Sequence, residues 1–294
     1  FDRALEKAQS DNGAAPRTEA TPPPPVQDPP SVTAPPPRPI SQPASPTTVK
    51  GRHRRASDFA PGDLNRFAPS DADFSRFEER FGISADQRST FDNAFSLVRT
   101  QVLQAIKDRG GQIIGVTSPS ARNGKTVSSI HLARACARRA AQTVVLADLN
   151  LQRPLLAGYL DARDFRSGIG FFRGEGRTED YLTRVDDTNL LLFLSDRGTQ
   201  QSAELLASAR LKQGLEAFRN VAPETVVICN LPPILGGDDV MTIMPQLDGV
   251  VLVAAACESS FKDVEEAAKL IPREKLLCAI MNKCRTVDLS ALED

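Results

Sequence analysis

The segment Ser118-Pro-Ser-Ala-Arg-Asn-Gly-Lys-Thr126 constrains the fold more than any other part of this chain. It lies between an apolar run, Gln112 to Val116, and a helix-like stretch, Lys125 to Ala140. The order is strand, loop, helix, with Gly124-Lys-Thr126 at the helix start. In that order the backbone N–H groups of the first helical turn converge on one point, and the helix dipole adds positive potential there. An ammonium at Lys125 can neutralise phosphate charge, and a hydroxyl at Thr126 can ligate Mg²⁺. The segment therefore reads as a phosphate-binding loop. Its match to G-x-x-x-x-G-K-[ST] is incomplete, because Pro119 stands where the first glycine would be. Asn123 to Thr126 also suits a plain strand-to-helix turn, with Gly124 supplying a permissive φ and Lys125 solvated.

Around this loop, strand-like and helix-like stretches alternate. Asp86 to Asp108 places Phe91, Phe95, Val98, Val102 and Ile106 on one helical face, and Gly110-Gly111 ends it. Thr143-Val-Val-Leu-Ala-Asp148 is an almost unbroken apolar run ending in a carboxylate, the pattern of a strand buried on both faces of a parallel sheet. Leu190–Leu194, Thr225–Cys229, Val250–Ala254 and Leu276–Met281 read as further strands. Gln201–Asn220 and Phe261–Leu270 read as helices. This alternation predicts an α/β fold with a doubly wound, mostly parallel sheet and ligands at the C-terminal edge of its strands. Between Leu155 and Asp187 glycines and charges obscure any period, and no element is assigned.

The rest of the chain has a different composition. Of the 22 prolines in 294 residues, 13 fall between Pro16 and Pro46. Such a stretch buries too little apolar surface to offset its ordering entropy. Residues 1–11 read as a short amphipathic helix and 12–83 as a disordered, proline-rich linker. Residues 84–285 read as the folded domain and 286–294 as a tail. Lys50, Arg52, His53, Arg54 and Arg55 form a basic cluster in the linker, read as a solvated charge run or a contact for an anionic surface.

Composition also excludes function classes. A net charge of −1 gives no footprint for bulk nucleic-acid binding. The five cysteines, Cys136, Cys229, Cys257, Cys278 and Cys284, lack C-x-x-C spacing and read as small buried hydrophobes in a reducing compartment. With His53 and His131 the only histidines, a zinc site or a histidine-based triad has little support. No run approaches the ~20 apolar residues of a membrane span. No signal peptide is visible, and the lack of an initiator Met leads us to expect sequence upstream of Phe1.

Several motifs occur together in order: Arg99-Thr100, the 118–126 loop, Asp148-x-x-x-x-Arg153-Pro154, Ala203-Glu-Leu-Leu206, Pro232-Pro233 with Asp239, and Asp248-Gly249. As a set, over about residues 86–285, they resemble the cytoplasmic domain of bacterial tyrosine kinases. That family of capsule and exopolysaccharide synthesis belongs to the deviant Walker, MinD/ParA-like class of P-loop NTPases. The resemblance implies ATP or ADP with Mg²⁺ as cofactors, and a membrane-bound polysaccharide co-polymerase, or chain-length regulator, as partner in a separate chain. It further implies a possible homo-oligomer, no nucleic acid, and a cytoplasmic place, peripheral at the inner membrane through the partner. Lys125 and Asp148 would be the catalytic residues. Ser120, Ala121, Arg122, Asn123, Gly124, Lys125, Thr126, Val127 and Arg153 would line the nucleotide. Thr126, Asp148 and Asp239 would serve the metal. Asp148 would orient Mg²⁺-bound water or act as base, and Asp239 would support the outer shell or cap a helix.

The departures from that family carry as much weight. Asn150 and Asn230 stand where the family has carboxylates; amides can accept hydrogen bonds but bring no charge to Mg²⁺. Arg122 stands where the loop's second glycine is expected, and Ala255 and Glu258 replace basic residues. The family's tyrosine-rich tail has no counterpart, since Tyr159 and Tyr181 are the two tyrosines. Of the family's Glu-x-x-Arg-x-x-Arg oligomerisation motif, Asn93-x-x-Ser96-x-x-Arg99 keeps only Arg99. Two readings follow: a nucleotide-responsive regulator with weakened or lost phosphoryl transfer, or a nucleotide-free pseudokinase scaffold. A MinD/ParA-type positioning ATPase ranks below both, because Ala121 occupies the region of that class's signature lysine and the C-terminus lacks a basic amphipathic helix.

Overall fold

A computed structural model describes residues 63–284, apart from 140, 141 and 187. The expected 1–11 helix, the basic cluster, the linker up to residue 62 and the 286–294 tail lie outside the described residues. In chain order, a 3-10 turn at Leu64–Arg66 leads to β1 (Ala68–Ser70), α1 (Phe74–Arg80) and the long α2 (Ala85–Asp108). β2 (Ile113–Thr117), α3 (Lys125–Ala137), β3 (Thr143–Asp148), α4 (Leu156–Tyr159) and α5 (Gly168–Phe172) follow. Then come β4 (Leu182–Val185), β5 (Leu190–Phe193), α6 (Ser202–Leu206), α7 (Ala209–Arg219) and β6 (Thr225–Asn230). α8 (Asp239–Ile243), β7 (Gly249–Ala255), α9 (Phe261–Leu270) and β8 (Leu276–Asn282) complete the series.

The strands form one eight-stranded sheet in the order β1-β4-β5-β3-β6-β2-β7-β8. Every neighbouring pair is parallel except β4 with β5. Successive strand residues point to opposite faces. Val145, Ala147, Val227, Cys229 and Leu252 therefore meet Leu211, Leu215 and Phe218 of α7 and Ile243 of α8. Val144, Leu146, Ile228, Val251 and Val253 meet Phe77 of α1, Val102 and Ile106 of α2, and Ile130 and Leu132 of α3. Both faces are covered, which is why the central strands are apolar without alternation.

Two sequence motifs set the register at the sheet centre. Asp248 Oδ2 accepts from the N–H groups of Gln112 (2.8 Å) and Ile113 (2.9 Å), tying the start of β2 to the start of β7. At Gly115 a Cβ would sit 2.7 Å from the Leu231 and Leu247 side chains, so the strand under the loop needs glycine there. In register, Asn230 pairs with Val116 on one side and Asp148 on the other. The C-terminal ends of β2, β6 and β3 thus lie side by side where the chain reverses its winding.

The structure moves four expectations. Residues 63–83 are not linker: β1 pairs with β4, Asp73 caps α1, and Phe67 and Phe77 are buried. The proline-dense composition has ended by this point, and Phe67, Phe74, Phe77 and Ile83 give the segment an apolar anchor. Gln201–Asn220 is two helices, because Ser208 breaks the run and caps α7 through the Leu211 N–H. The unassigned 155–187 stretch holds α4, α5, a 3-10 turn at Thr178–Tyr181 and β4, from which Phe171, Tyr181 and Leu182 join the core. Cys257 and Cys284 are exposed rather than buried.

Candidate functional site

The loop between β2 and α3 is fixed by its own polar groups and by its neighbours. Ser118 Oγ donates to the Ser120 carbonyl (2.7 Å), and Asn123 Oδ1 accepts the Ser120 N–H (2.9 Å). Thr117 Oγ1 donates to the Pro232 carbonyl (2.7 Å), while the Ile234 and Leu235 N–H groups reach the Ser118 and Pro119 carbonyls. Pro232-Pro233 therefore braces the loop from the β6 side. From the β8 side Asn282 Nδ2 donates to the Asn123 carbonyl (3.1 Å). Gly124 adopts φ 94°, and a Cβ there would overlap the Asn282 amide, so the position takes glycine for two reasons. Arg122 adopts φ 65°, a left-handed conformation that costs a non-glycine residue roughly 1–2 kcal/mol.

Lys125 is the first residue of α3 and only 6% exposed. Among the described residues no hydrogen bond or ion pair engages its ammonium. Burial lowers its pKa, and the Asp148 charge opposes that shift. The side chain is thus largely withdrawn from water into the cleft, unlike a freely solvated lysine at an open turn. Thr126 is buried beside it, with no partner among the described residues for its hydroxyl.

Asp148 ends β3 and is fully buried. Its Oδ2 accepts from Leu155 N–H (2.9 Å) and Leu156 N–H (2.9 Å), and its Oδ1 from Asn230 Nδ2 (2.9 Å) and, more weakly, Asn150 N–H (3.4 Å). Burial pushes its carboxyl up to about 6, against the pull of these donors. Among the described residues Asn230 Oδ1 has no partner, and Asn150 is buried nearby. Asp239 is buried at the start of α8, where Ser202 Oγ (2.9 Å) and Gln152 Nε2 (3.2 Å) donate to its two oxygens.

A cleft of about 1600 Å³ opens over these elements. Ala121, Arg122, Gly124, Lys125, Thr126 and Val127 line it from the loop, and Asn150, Arg153 and Asp239 from the facing side. Phe91, Phe95 and Val98 of α2 and Ile280 of β8 form its apolar wall. Ser120, Asn123 and Asp148 do not line it: the first two are spent within the loop, and Asp148 lies behind it. The loop motif therefore brings together most of the expected cofactor residues, but Asp148 supports the site rather than faces it. Asn282, Gln152 and Ser202 were not legible, since each meets its partner across the fold and belongs to no local pattern.

Other candidates have settled roles. Tyr181 is buried and its hydroxyl donates to the Glu175 carbonyl. Tyr159 is half-buried against Phe81 at the cleft. Arg99 Nη1 donates to the Ala135 carbonyl (3.3 Å), joining α2 to α3. His131 is buried among Phe77, Phe91 and Phe95. Among the described residues no helix is long and apolar enough to cross a membrane.

The residues offered to Mg²⁺ can be weighed on this geometry. Mg²⁺ usually takes one or two carboxylates besides phosphate oxygens and water. Here Thr126 offers a hydroxyl, but Asp148 already accepts four N–H groups and Asp239 two donors. Asn230 Oδ1, without a partner among the described residues, is neutral and suits a water as well as a hydrated cation. Among the described residues no three Asp, Glu, His or Cys side chains converge. The set does not fit a carboxylate-held divalent ion.

No family model matches the chain. Over 210 residues, 71% of this chain and 87% of that protein, it is 24% identical to tyrosine-protein kinase YwqD of Bacillus subtilis (strain 168). It superposes on the BceF tyrosine kinase domain with a TM-score of 0.59 at 23% identity, covering 73% of this chain and 90% of that one. The septum site-determining protein MinD from Pyrococcus horikoshii OT3, complexed with Mg-ADP, gives 0.51 at 17% identity, covering 60% and 72%. The fold is that of the α/β P-loop NTPases, and the chain resembles the bacterial tyrosine kinases.

Proposed function

We propose that this chain is a tyrosine-kinase-like P-loop protein regulating exopolysaccharide or capsule synthesis or export, which binds ATP or ADP at the 118–127 loop with phosphoryl transfer weakened or lost. The observation that carries the reading is Lys125, only 6% exposed at the N-terminus of a 13-residue helix, whose ammonium has no partner among the described residues. Drawing a charge out of water without a partner is costly, and a phosphate chain would offset that cost. Lys125, Thr126, Gly124 and Arg122 would hold the phosphates, with Arg153 opposite. Weakened transfer follows from Asp148, whose oxygens are taken by N–H donors, and from Asn150 and Asn230, which are no bases. The proposed partner is a membrane-bound polysaccharide co-polymerase in a separate chain. That places the protein at the cytoplasmic face of the inner membrane, as a monomer or homo-oligomer.

Calorimetric titration with ADP and ATP tests this. Micromolar binding that Lys125→Ala abolishes supports it. No heat at millimolar nucleotide would favour a nucleotide-free scaffold, the reading that Asp148's internally satisfied carboxylate also suits.

A further inference from the structure

The cleft is supplied with unpaired cations and poor in free anions. Lys125, Arg122 and Arg153 line it, and among the described residues none of the three has an ion-pair partner. The carboxylates nearest the loop are committed: Asp148 lies behind the wall with four N–H donors, and Asp239 is held by Ser202 and Gln152. Asn150 lines the cleft and Asn230 backs it, both uncharged. A divalent cation between phosphates and protein gains from nearby free negative charge, and here there is little to gain from. Guanidinium groups, by contrast, meet phosphate oxygens directly through bidentate hydrogen bonds.

We propose that this cleft takes the phosphate chain of a nucleoside di- or triphosphate as the free anion, its charge met by Lys125, Arg122, Arg153 and the N-terminus of α3, without a divalent cation. The inference rests on the nucleotide reading above and deepens it. Asn230 is the residue that sets this preference. Its amide bonds Asp148 at 2.9 Å, where a carboxylate would bring two buried acidic groups into contact and call for a shared proton or a cation between them.

The test is titration of the full chain with ADP and ATP in excess EDTA and in excess Mg²⁺. The expected dissociation constants agree within about threefold, and Arg153→Ala weakens both by roughly tenfold. Thermal unfolding supplies a readout without nucleotide. Mg²⁺ alone leaves the wild-type Tm unmoved, whereas Asn230→Asp lowers Tm in EDTA and recovers with Mg²⁺. Binding seen only with Mg²⁺, or a wild-type Tm raised by Mg²⁺ alone, overturns the inference and leaves nucleotide binding standing. Silence in both titrations overturns the nucleotide reading itself and this inference with it. The wild-type arms decide the matter even if Asn230→Asp does not fold.

Discussion

Asn230 donates its side-chain amide to Asp148 Oδ1 at 2.9 Å, across the register pair that joins the ends of β6 and β3. The bond occupies one oxygen, and the Leu155 and Leu156 N–H groups occupy the other. Asp148 therefore anchors the chain that leaves β3 and starts α4. An Asp148→Asn substitution would turn an NH₂ toward N–H donors on one side or the other. We predict a loss of about 1–3 kcal/mol in unfolding free energy, the penalty of leaving buried donors unpaired. Urea denaturation measures it. A carboxylate with only a chemical role would tolerate the change, and an unaltered midpoint would remove the structural role.

Arg122 should show opposite effects on stability and binding. Its φ of 65° is strained for any residue with a Cβ, so Arg122→Gly relieves roughly 1 kcal/mol of backbone cost. The same change removes a guanidinium from the cleft. The variant is expected to unfold at higher urea and to bind ADP more weakly. If affinity rises with stability, the side chain obstructs the phosphate chain rather than contacting it.

The boundary of the folded unit is also testable. Phe77 is fully buried under the sheet beside Ile106 and Ile130, and Glu78 on the next position pairs with Arg88 (2.7 Å) and Arg134 (2.5 Å). A chain starting at residue 84 loses these contacts and β1. Phe77→Ala alone should cost about 3–5 kcal/mol. Equal Tm values for chains starting at 63 and at 84 would contradict the packing seen here.

What the sequence reveals and what it hides divides along the same lines. The 143–148 and 250–254 runs are legible because a strand buried on both faces must be apolar throughout. The loop is legible because Gly124, Lys125 and Thr126 act through their own backbone and local helix. α5 and β4 are hidden, since Phe171 and Leu182 gain their stability from the core they share with Phe193 and α7 and not from any local period. At the site, Lys125 could be read from its motif, but its burial could not. Asp148 was legible as a strand end beside a phosphate loop. Its commitment to Leu155 and Leu156 was not, because backbone donors leave no trace in residue type.

Two buried groups give the fold opposing responses to acid. Burial lowers His131 from 6.5 to about 4; Arg134 reinforces this, Glu78 and Asp92 oppose it, and Arg138 adds to it. The unfolded chain then takes up that proton first, so His131 contributes stability above pH 6.5 that is lost as pH falls toward 4. Asp148 is raised from 3.8 to about 6, so here the folded state takes the proton first, and stability is lost as pH rises through that window. Each effect is on the order of 3 kcal/mol, and between pH 4 and 6 they oppose one another. His131→Phe keeps an aromatic ring among Phe77, Phe91 and Phe95 and removes the titration. Denaturation from pH 7 to 4 should therefore show the variant gaining about 3 kcal/mol relative to wild type. Parallel curves for the two proteins would mean that His131 does not stay neutral in the folded state.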